Sequence, residues 1–304
     1  MRLSDLLDPE LLDTVDSLSG FDLDADTATL PPVPSVELSA KVSRTDVVVP
    51  GEPDVTIRVH RPVGVVGPLP CVVSMHSGGY VLGDSSLDDE LFDRWCPTLS
   101  VVGVSVDYRR APTTPYPGPL MDCYTALAWV HGHAGELGVD TGRIGLHGVG
   151  AGGGLAAALA VVTRDHREVP LAFQVLDSAM IDDRQETRSS RLEDLPVWSA
   201  RSTEYGWRAY LGDLYGTTDV PIYAAASRCA DLRRLPPAFV SVGALDGFHD
   251  ENVDYATRLN HAGVPTELHV YPGTPHGYHL ATESHVARQS ARDKTVWLRR
   301  QLRP

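Results

Sequence analysis

The stretch Arg143-Ile144-Gly145-Leu146-His147-Gly148-Val149-Gly150-Ala151-Gly152-Gly153-Gly154 runs from a short apolar segment through a glycine cluster into an alanine-rich one. A brief apolar run that stops at glycines reads as a buried strand, and a long run of helix formers reads as a helix. Ile144–Leu146 is therefore expected as a strand, Ala151–Arg164 as a helix, and the glycines between them as a tight turn. The rest of the chain repeats this alternation, and that decides the fold class as α/β.

Further strands are expected at Asp46–Val49, Val55–His60, Cys71–Met75, Val101–Val106, Leu171–Leu176, Ala238–Gly243 and Glu267–Val270. Helices are expected at Leu120–His131, Glu251–Ala262 and Glu283–Gln301, with Asp250 and Glu251 placed to cap the second of these. Apolar strands alternating with helices imply a mostly parallel sheet covered on both faces. Residues 3–18 set leucines near helical spacing, with a start or restart at Asp8-Pro9, and Leu30-Pro31-Pro32-Val33-Pro34 is a breaker. Segment 183–234 is rich in Arg, Ser, Asp, Trp and Tyr, has no strong strand, and reads as an inserted lid. The expected organisation is N-terminal cap helices at 1–45, a core at 46–182 and 235–304, and a lid at 183–234.

Composition narrows the function. The 304-residue chain carries a net charge of −14, which argues against a nucleic-acid partner. The start Met1-Arg2-Leu3-Ser4-Asp5 lacks a signal-peptide pattern and no apolar run approaches spanning length, so a cytoplasmic protein without a membrane partner is expected. Cys71, Cys96, Cys123 and Cys229 lack CxxC spacing and read as reduced thiols, neither disulfides nor metal ligands. No cofactor is implied.

Five ordered segments carry a resemblance. His76-Ser77-Gly78-Gly79-Tyr80 follows an apolar strand, and Asp107-Tyr108-Arg109-Arg110-Ala111-Pro112 follows another. The Gly148–Gly153 turn comes next, then Leu245-Asp246-Gly247-Phe248 and Tyr271-Pro272-Gly273-Thr274-Pro275-His276-Gly277. Together they resemble the HGGG loop, Y-R-L-A-P-E segment, nucleophile elbow, triad acid and triad histidine of the hormone-sensitive-lipase-like (bacterial family IV) carboxylesterases. The resemblance implies an α/β-hydrolase fold: a mostly parallel, eight-stranded-type sheet with helices on both faces and a helical cap. It also implies that Asp246 orients His276, and that the N–H groups of Gly78, Gly79 and Ala151 form an oxyanion hole. A homodimer is an open expectation, since dimers are common in that family.

The chain departs from the pattern where the elbow G-x-S-x-G carries its serine, because Gly150 stands there. Ser77 replaces a glycine of HGGG, Thr113 the usual Glu, and Ala179 the usual Pro, while Asp177 puts a carboxyl at the end of an apolar strand. Several departures together point to natural divergence. His76, Ser77, Tyr80, Asp177 and Ser178 are candidate substrate contacts. Trp198, Tyr205, Trp207 and Tyr210 are candidates for a pocket wall, the last two more readily for anchoring the lid. His60, His131, His249 and His279 keep a structural reading.

The leading expectation is a non-hydrolytic enzyme acting on a carbonyl-bearing small molecule. His276 would move a proton, the N–H groups would hold an enolate, and elimination, cyclisation, retro-aldol cleavage or decarboxylation would follow. A lyase or cyclase of secondary metabolism fits that chemistry. The first alternative is an ester hydrolase, inactivated by the loss of serine at 150 or using water activated by His276. The second is a non-catalytic small-molecule binder.

Overall fold

The computed structural model describes residues 3–18, 22–24, 37–193 and 195–303. The breaker at Leu30–Pro34 lies outside them. Eight strands form one sheet: β1 Val42–Val49, β2 Val55–Pro62, β3 Leu69–Met75, β4 Val102–Asp107, β5 Val139–Val149, β6 Phe173–Asp177, β7 Ala238–Gly243 and β8 Thr266–Tyr271. Their order across the sheet is β1-β2-β4-β3-β5-β6-β7-β8. The β1–β2 and β2–β4 pairs are antiparallel, and the β4–β3, β3–β5, β5–β6, β6–β7 and β7–β8 pairs are parallel. The expected mostly parallel, eight-stranded sheet is therefore what the chain forms.

Burial follows from these positions. Strands β3, β6 and β7 are buried at every residue, as helices on both faces require, whereas edge strand β1 is buried only at its two ends. The helices are α1 Leu12–Leu18, α2 Asp89–Leu99, α3 Gly118–Gly132, α4 Ala134–Leu137, α5 Ala151–His166, α6 Ala200–Leu211, α7 His249–His261 and α8 His285–Gln301. Helix α5 is buried from Ala151 to Thr163, and its small residues let it lie close under the sheet's carboxyl edge. The expected N-terminal helix is broken where Asp8 accepts a hydrogen bond from the N–H of Glu10 at 3.0 Å, so that only Leu12–Leu18 is α-helical.

Helix α2 was not expected. Its apolar residues Phe92, Trp95, Cys96 and Leu99 keep helical spacing, but the segment is short and carries Pro97 in its last turn, the residue that ordinarily marks a break. Among its described residues, segment 183–234 contains α6 and short 3-10 turns but no strand. Trp207 and Tyr210 of α6 are fully buried, and Tyr210 stacks on Tyr80 at 4.1 Å, so they anchor this segment to the loop after β3. Asp250 and Glu251 lie in the first turn of α7, but their side chains bind segment 183–234 and the chain leading into it. Asp250 accepts from the N–H of Ser189 at 2.8 Å, and Glu251 from that of Ile181 at 2.9 Å.

A buried ion pair ties α8 to the sheet. Asp177, at the end of β6, is 1% exposed and accepts hydrogen bonds from Ser241 Oγ at 2.9 Å and from Lys294 Nζ. Burial works against its charge, but the Lys294 ammonium overrides it and holds the carboxyl down at about 2. Replacing Lys294 with Met would strand that charge in the interior, at a cost of about 3–5 kcal/mol. Denaturant unfolding should show this loss for Lys294→Met, and the double variant Asp177→Leu/Lys294→Met should recover most of it.

Candidate active site

The site forms at the carboxyl edge of the sheet, where β5 turns into α5. Gly150 sits on that turn with φ 56° and ψ −120°, a backbone state glycine adopts without steric cost. Its N–H donates to the carbonyl of Asp177 at 3.0 Å, and its carbonyl accepts from the N–H of Met180 at 2.9 Å. The flanking glycines are required by close approach: a Cβ at Gly148 would lie 2.1 Å from the carbonyl oxygen of Gly152, and one at Gly152 would lie 2.0 Å from that of Met75. The turn is thus pressed against the end of β3, from which the His76–Tyr80 loop departs.

Opposite Gly150 stands His276. Its Nδ1 lies 2.9 Å from Asp246 Oδ2, and the other carboxylate oxygen, Oδ1, accepts from the N–H of Phe248 at 2.9 Å. Asp246 is 1% exposed. With an acceptor at Nδ1, the imidazole carries its proton there and presents Nε2 as a base. Burial pushes the His276 pKa down, but the charge of Asp246 and its hydrogen bond, helped by Asp177, outweigh that and leave it raised above the usual 6.5.

One cavity of about 110 Å³ joins these parts, and its wall includes Ser77, Gly78, Gly79, Gly150, Ala151 and His276. The backbone N–H groups of Gly78, Gly79 and Ala151 donate to no protein acceptor among the described residues. Unpaired donors converging on a cavity are suited to hold a negative oxygen. The remaining wall is largely apolar and includes Leu18, Val149, Met180, Val197, Trp198 and Phe248. The roof comes from two sides. Trp198 precedes α6, while Leu18 belongs to α1, and Leu23 beyond it donates its N–H to Ser202 Oγ at 2.9 Å.

Several candidate contacts lie elsewhere. His76 is 1% exposed, stacked on Tyr108 at 4.1 Å, with Nδ1 2.8 Å from the carbonyl oxygen of Ser77. It holds the loop from behind, and burial lowers its pKa to about 4. Tyr80 is buried and donates its hydroxyl to the carbonyl of Met180 at 2.8 Å. Asp177 and Ser178 are buried at 1% and 2% exposure and are absent from the cavity wall. Of the five candidate contacts only Ser77 reaches the cavity. His279, read as structural, lines it as well, and burial lowers its pKa to about 4. Its spacing of three residues from His276 was the available signal. No group of three or more His, Cys, Asp or Glu among the described residues could hold a metal ion. The four cysteines are free and buried, and no described helix is long and apolar enough to cross a membrane.

Residues 72–280, which include the turn, His276, Asp246 and the His76–Tyr80 loop, match the family described as alpha/beta hydrolase fold. The chain belongs to that family. It is 36% identical to Carboxylesterase NlhH of Mycobacterium tuberculosis (strain ATCC 25618 / H37Rv) over 231 residues, which cover 75% of this chain and 72% of that protein. It is 34% identical to Esterase LipI of the same organism over 210 residues, covering 69% of the chain and 65% of the relative, just under two thirds of its length. Among solved structures it superposes on a bacterial heroin esterase with a TM-score of 0.91 and 36% identity, covering 100% of both chains. The esterase LipW from Mycobacterium marinum matches with a TM-score of 0.80 and 36% identity, covering 86% of this chain and 83% of that one.

These relatives overturn the leading expectation from the sequence. Elimination, cyclisation, retro-aldol cleavage and decarboxylation have no counterpart among them, because the relatives at this identity are named esterases and carboxylesterases. A lyase or cyclase of secondary metabolism is not what the family points to. The retained donors and dyad are equally parts of an acyl-transfer site, so their survival gave no ground for choosing enolate chemistry.

The electrostatics of the dyad can be checked directly. His276 should titrate above 6.5 in an NMR pH series. In Asp246→Asn it should titrate below 6.5, because burial then acts without an opposing charge beside the ring.

Proposed function

We propose that the protein hydrolyses carboxylic esters of small apolar acyl groups, with His276 acting as general base on a water molecule. What carries the reading is the placement of His276 Nε2 across one cavity from the free N–H groups of Gly78, Gly79 and Ala151, in a chain whose relatives are named esterases. Gly150 takes the position at which the resembling family bears its serine. It has no hydroxyl, so an acyl-enzyme cannot form at that residue.

The reaction then runs in one covalent stage. The ester carbonyl oxygen accepts hydrogen bonds from the three backbone N–H groups. His276 Nε2 takes a proton from water as the water oxygen bonds to the carbonyl carbon. The resulting oxyanion is stabilised by the same donors, and the imidazolium by Asp246. As the tetrahedral intermediate collapses, the bond to the leaving oxygen breaks and His276 returns its proton to that oxygen. Acid and alcohol leave, and the imidazole is neutral again. The cavity favours a short acyl chain, because Trp198 and Leu18 close it above the turn.

Rates decide how this compares with a serine enzyme. Loss of a nucleophilic serine costs roughly six orders of magnitude in other hydrolases. A donor pocket with bound substrate still gives about three to four over water. The unmodified chain should therefore turn over short p-nitrophenyl esters slowly, with a rate that rises with pH through the His276 pKa, above 6.5, and then flattens. His276→Ala should abolish the plateau. Gly150→Ser should raise kcat at least a hundredfold, since a Cβ there meets only ordinary contacts, at 3.5 Å from His276 Nε2 and 3.9 Å from Ser77 Cβ. The positive φ should make that variant about 1–3 kcal/mol less stable. Turnover that survives His276→Ala would refute the general-base reading.

A further inference from the structure

Ser77 and Gly150 depart from the family pattern on opposite sides of one small space. A Cβ built on Gly150 would lie 3.5 Å from His276 Nε2, 3.6 Å from His276 Cε1 and 3.9 Å from Ser77 Cβ. The imidazole base, the Ser77 side chain and the bare turn therefore border a volume the size of a hydroxymethyl group. The same wall holds the apolar Val149, Trp198 and Phe248, with His279 and the N–H groups of Gly78, Gly79 and Ala151 as its other polar groups. A water molecule needs two to four polar partners to be held in such a place.

Ser77 is well placed to be the second partner. Its main chain is fixed from behind, since its carbonyl oxygen lies 2.8 Å from His76 Nδ1 and Tyr108 donates its hydroxyl to the carbonyl of His76 at 2.9 Å. Its neighbours cannot carry a side chain. A Cβ at Gly78 would lie 2.1 Å from the carbonyl oxygen of Leu82, and one at Gly79 would lie 2.7 Å from the Trp198 ring. Ser77 has no positive φ, so it is the position in this loop that accepts a hydroxyl without backbone strain. That hydroxyl makes no hydrogen bond to the protein among the described residues, although the side chain lines the cavity.

We propose that Ser77 positions the attacking water: the water donates one hydrogen to His276 Nε2 and the other to Ser77 Oγ, which turns its free lone pair toward the ester carbon. The inference rests on the general-base reading above and supplies its missing orientation. His276 alone removes a proton. Ser77 keeps its own hydrogen, forms no covalent bond, and acts as a positioning residue. Glycine at 150 opens the space for water, and serine at 77 gives that water a second partner.

The test is a cycle of variants followed with a short p-nitrophenyl ester. Ser77→Ala and Ser77→Gly should each lower kcat about tenfold with little change in KM, the loss expected for one ordinary hydrogen bond in the transition state. Ser77→Thr, which keeps a hydroxyl, should recover most of the rate. In the Gly150→Ser background the serine performs the first attack, so the effect of Ser77→Ala on the acylation burst should contract to under threefold. Equal losses in both backgrounds would mean that Ser77 only shapes the donor loop, and would overturn the proposal. Unchanged kcat in Ser77→Ala and Ser77→Gly would do the same. An acyl or phosphonyl adduct found on Ser77 by mass spectrometry would make it a nucleophile instead. Persistence of activity in His276→Ala would remove the general-base reading and this inference with it. Dependence on His276 without dependence on Ser77 removes only the inference.

Discussion

The close approach of the β5–α5 turn to the end of β3 sets the geometry of everything around the site. The main chain at Gly152 lies so near the carbonyl of Met75 that a single added carbon would come within 2.0 Å of its oxygen. This contact places the first N–H of α5, at Ala151, beside the loop that supplies the N–H groups of Gly78 and Gly79. An anion pocket made of backbone needs no particular side chain, but it does need two distant segments held in contact. Glycine at 148 and 152 allows this, and the hydrogen bonds of Gly150 to Asp177 and Met180 lock the turn onto β6. The donors are therefore independent of what residue 150 carries, which is why the pocket persists around a residue without a side chain.

Two buried carboxylates stand near His276, and their surroundings divide their roles. Asp246 bonds the ring directly and accepts a main-chain N–H with its other oxygen. Asp177 is committed to Lys294 and Ser241, so most of its field is cancelled locally and it adds only the smallest named contribution to His276. A second uncompensated carboxylate there would raise the imidazole further. The Lys294–Asp177 pair thus gives α8 a fixed seat against β6 and keeps excess negative potential away from the dyad.

Much of this was legible in the sequence, and the failures have physical causes. Strands buried on both faces announce themselves as apolar runs and the half-buried ones by alternation or β-branched residues, so all eight were located, β7 to the residue. Sequence order also brought Asp246 and His276 to one edge. Helix α2 was missed because Pro97 reads as a breaker, although Phe92, Trp95, Cys96 and Leu99 keep helical spacing, and the covering of Leu18 and Trp198 over the turn depends on tertiary contacts that local pattern does not encode. Lys294 left a readable trace. It lies four residues after Ser290 and three before Trp297, on the buried face of α8, where a lone cation demands a buried anion. Asp177 on an apolar strand was the matching anomaly, and the two together predict the pair that either alone leaves as an oddity.

The enolate expectation failed for a different reason. A base, its orienting acid and an oxyanion pocket describe what a site can stabilise, and the same parts serve an enolate or a tetrahedral intermediate. What separates the two reactions is which atom the base can reach, an α-hydrogen of the substrate or the hydrogen of an attacking water. At this site a Cβ on residue 150 would lie 3.5 Å from Nε2, so the space above the bare turn adjoins the base. In an acyl-transfer geometry that space holds the attacking oxygen. A water held there would lie beside a carbonyl bound by the three N–H groups, whereas removing an α-hydrogen would require the substrate to bring its chain into the same small volume. Under the proposed general-base reading, that position suits the addition of water to a carbonyl held by the same donors.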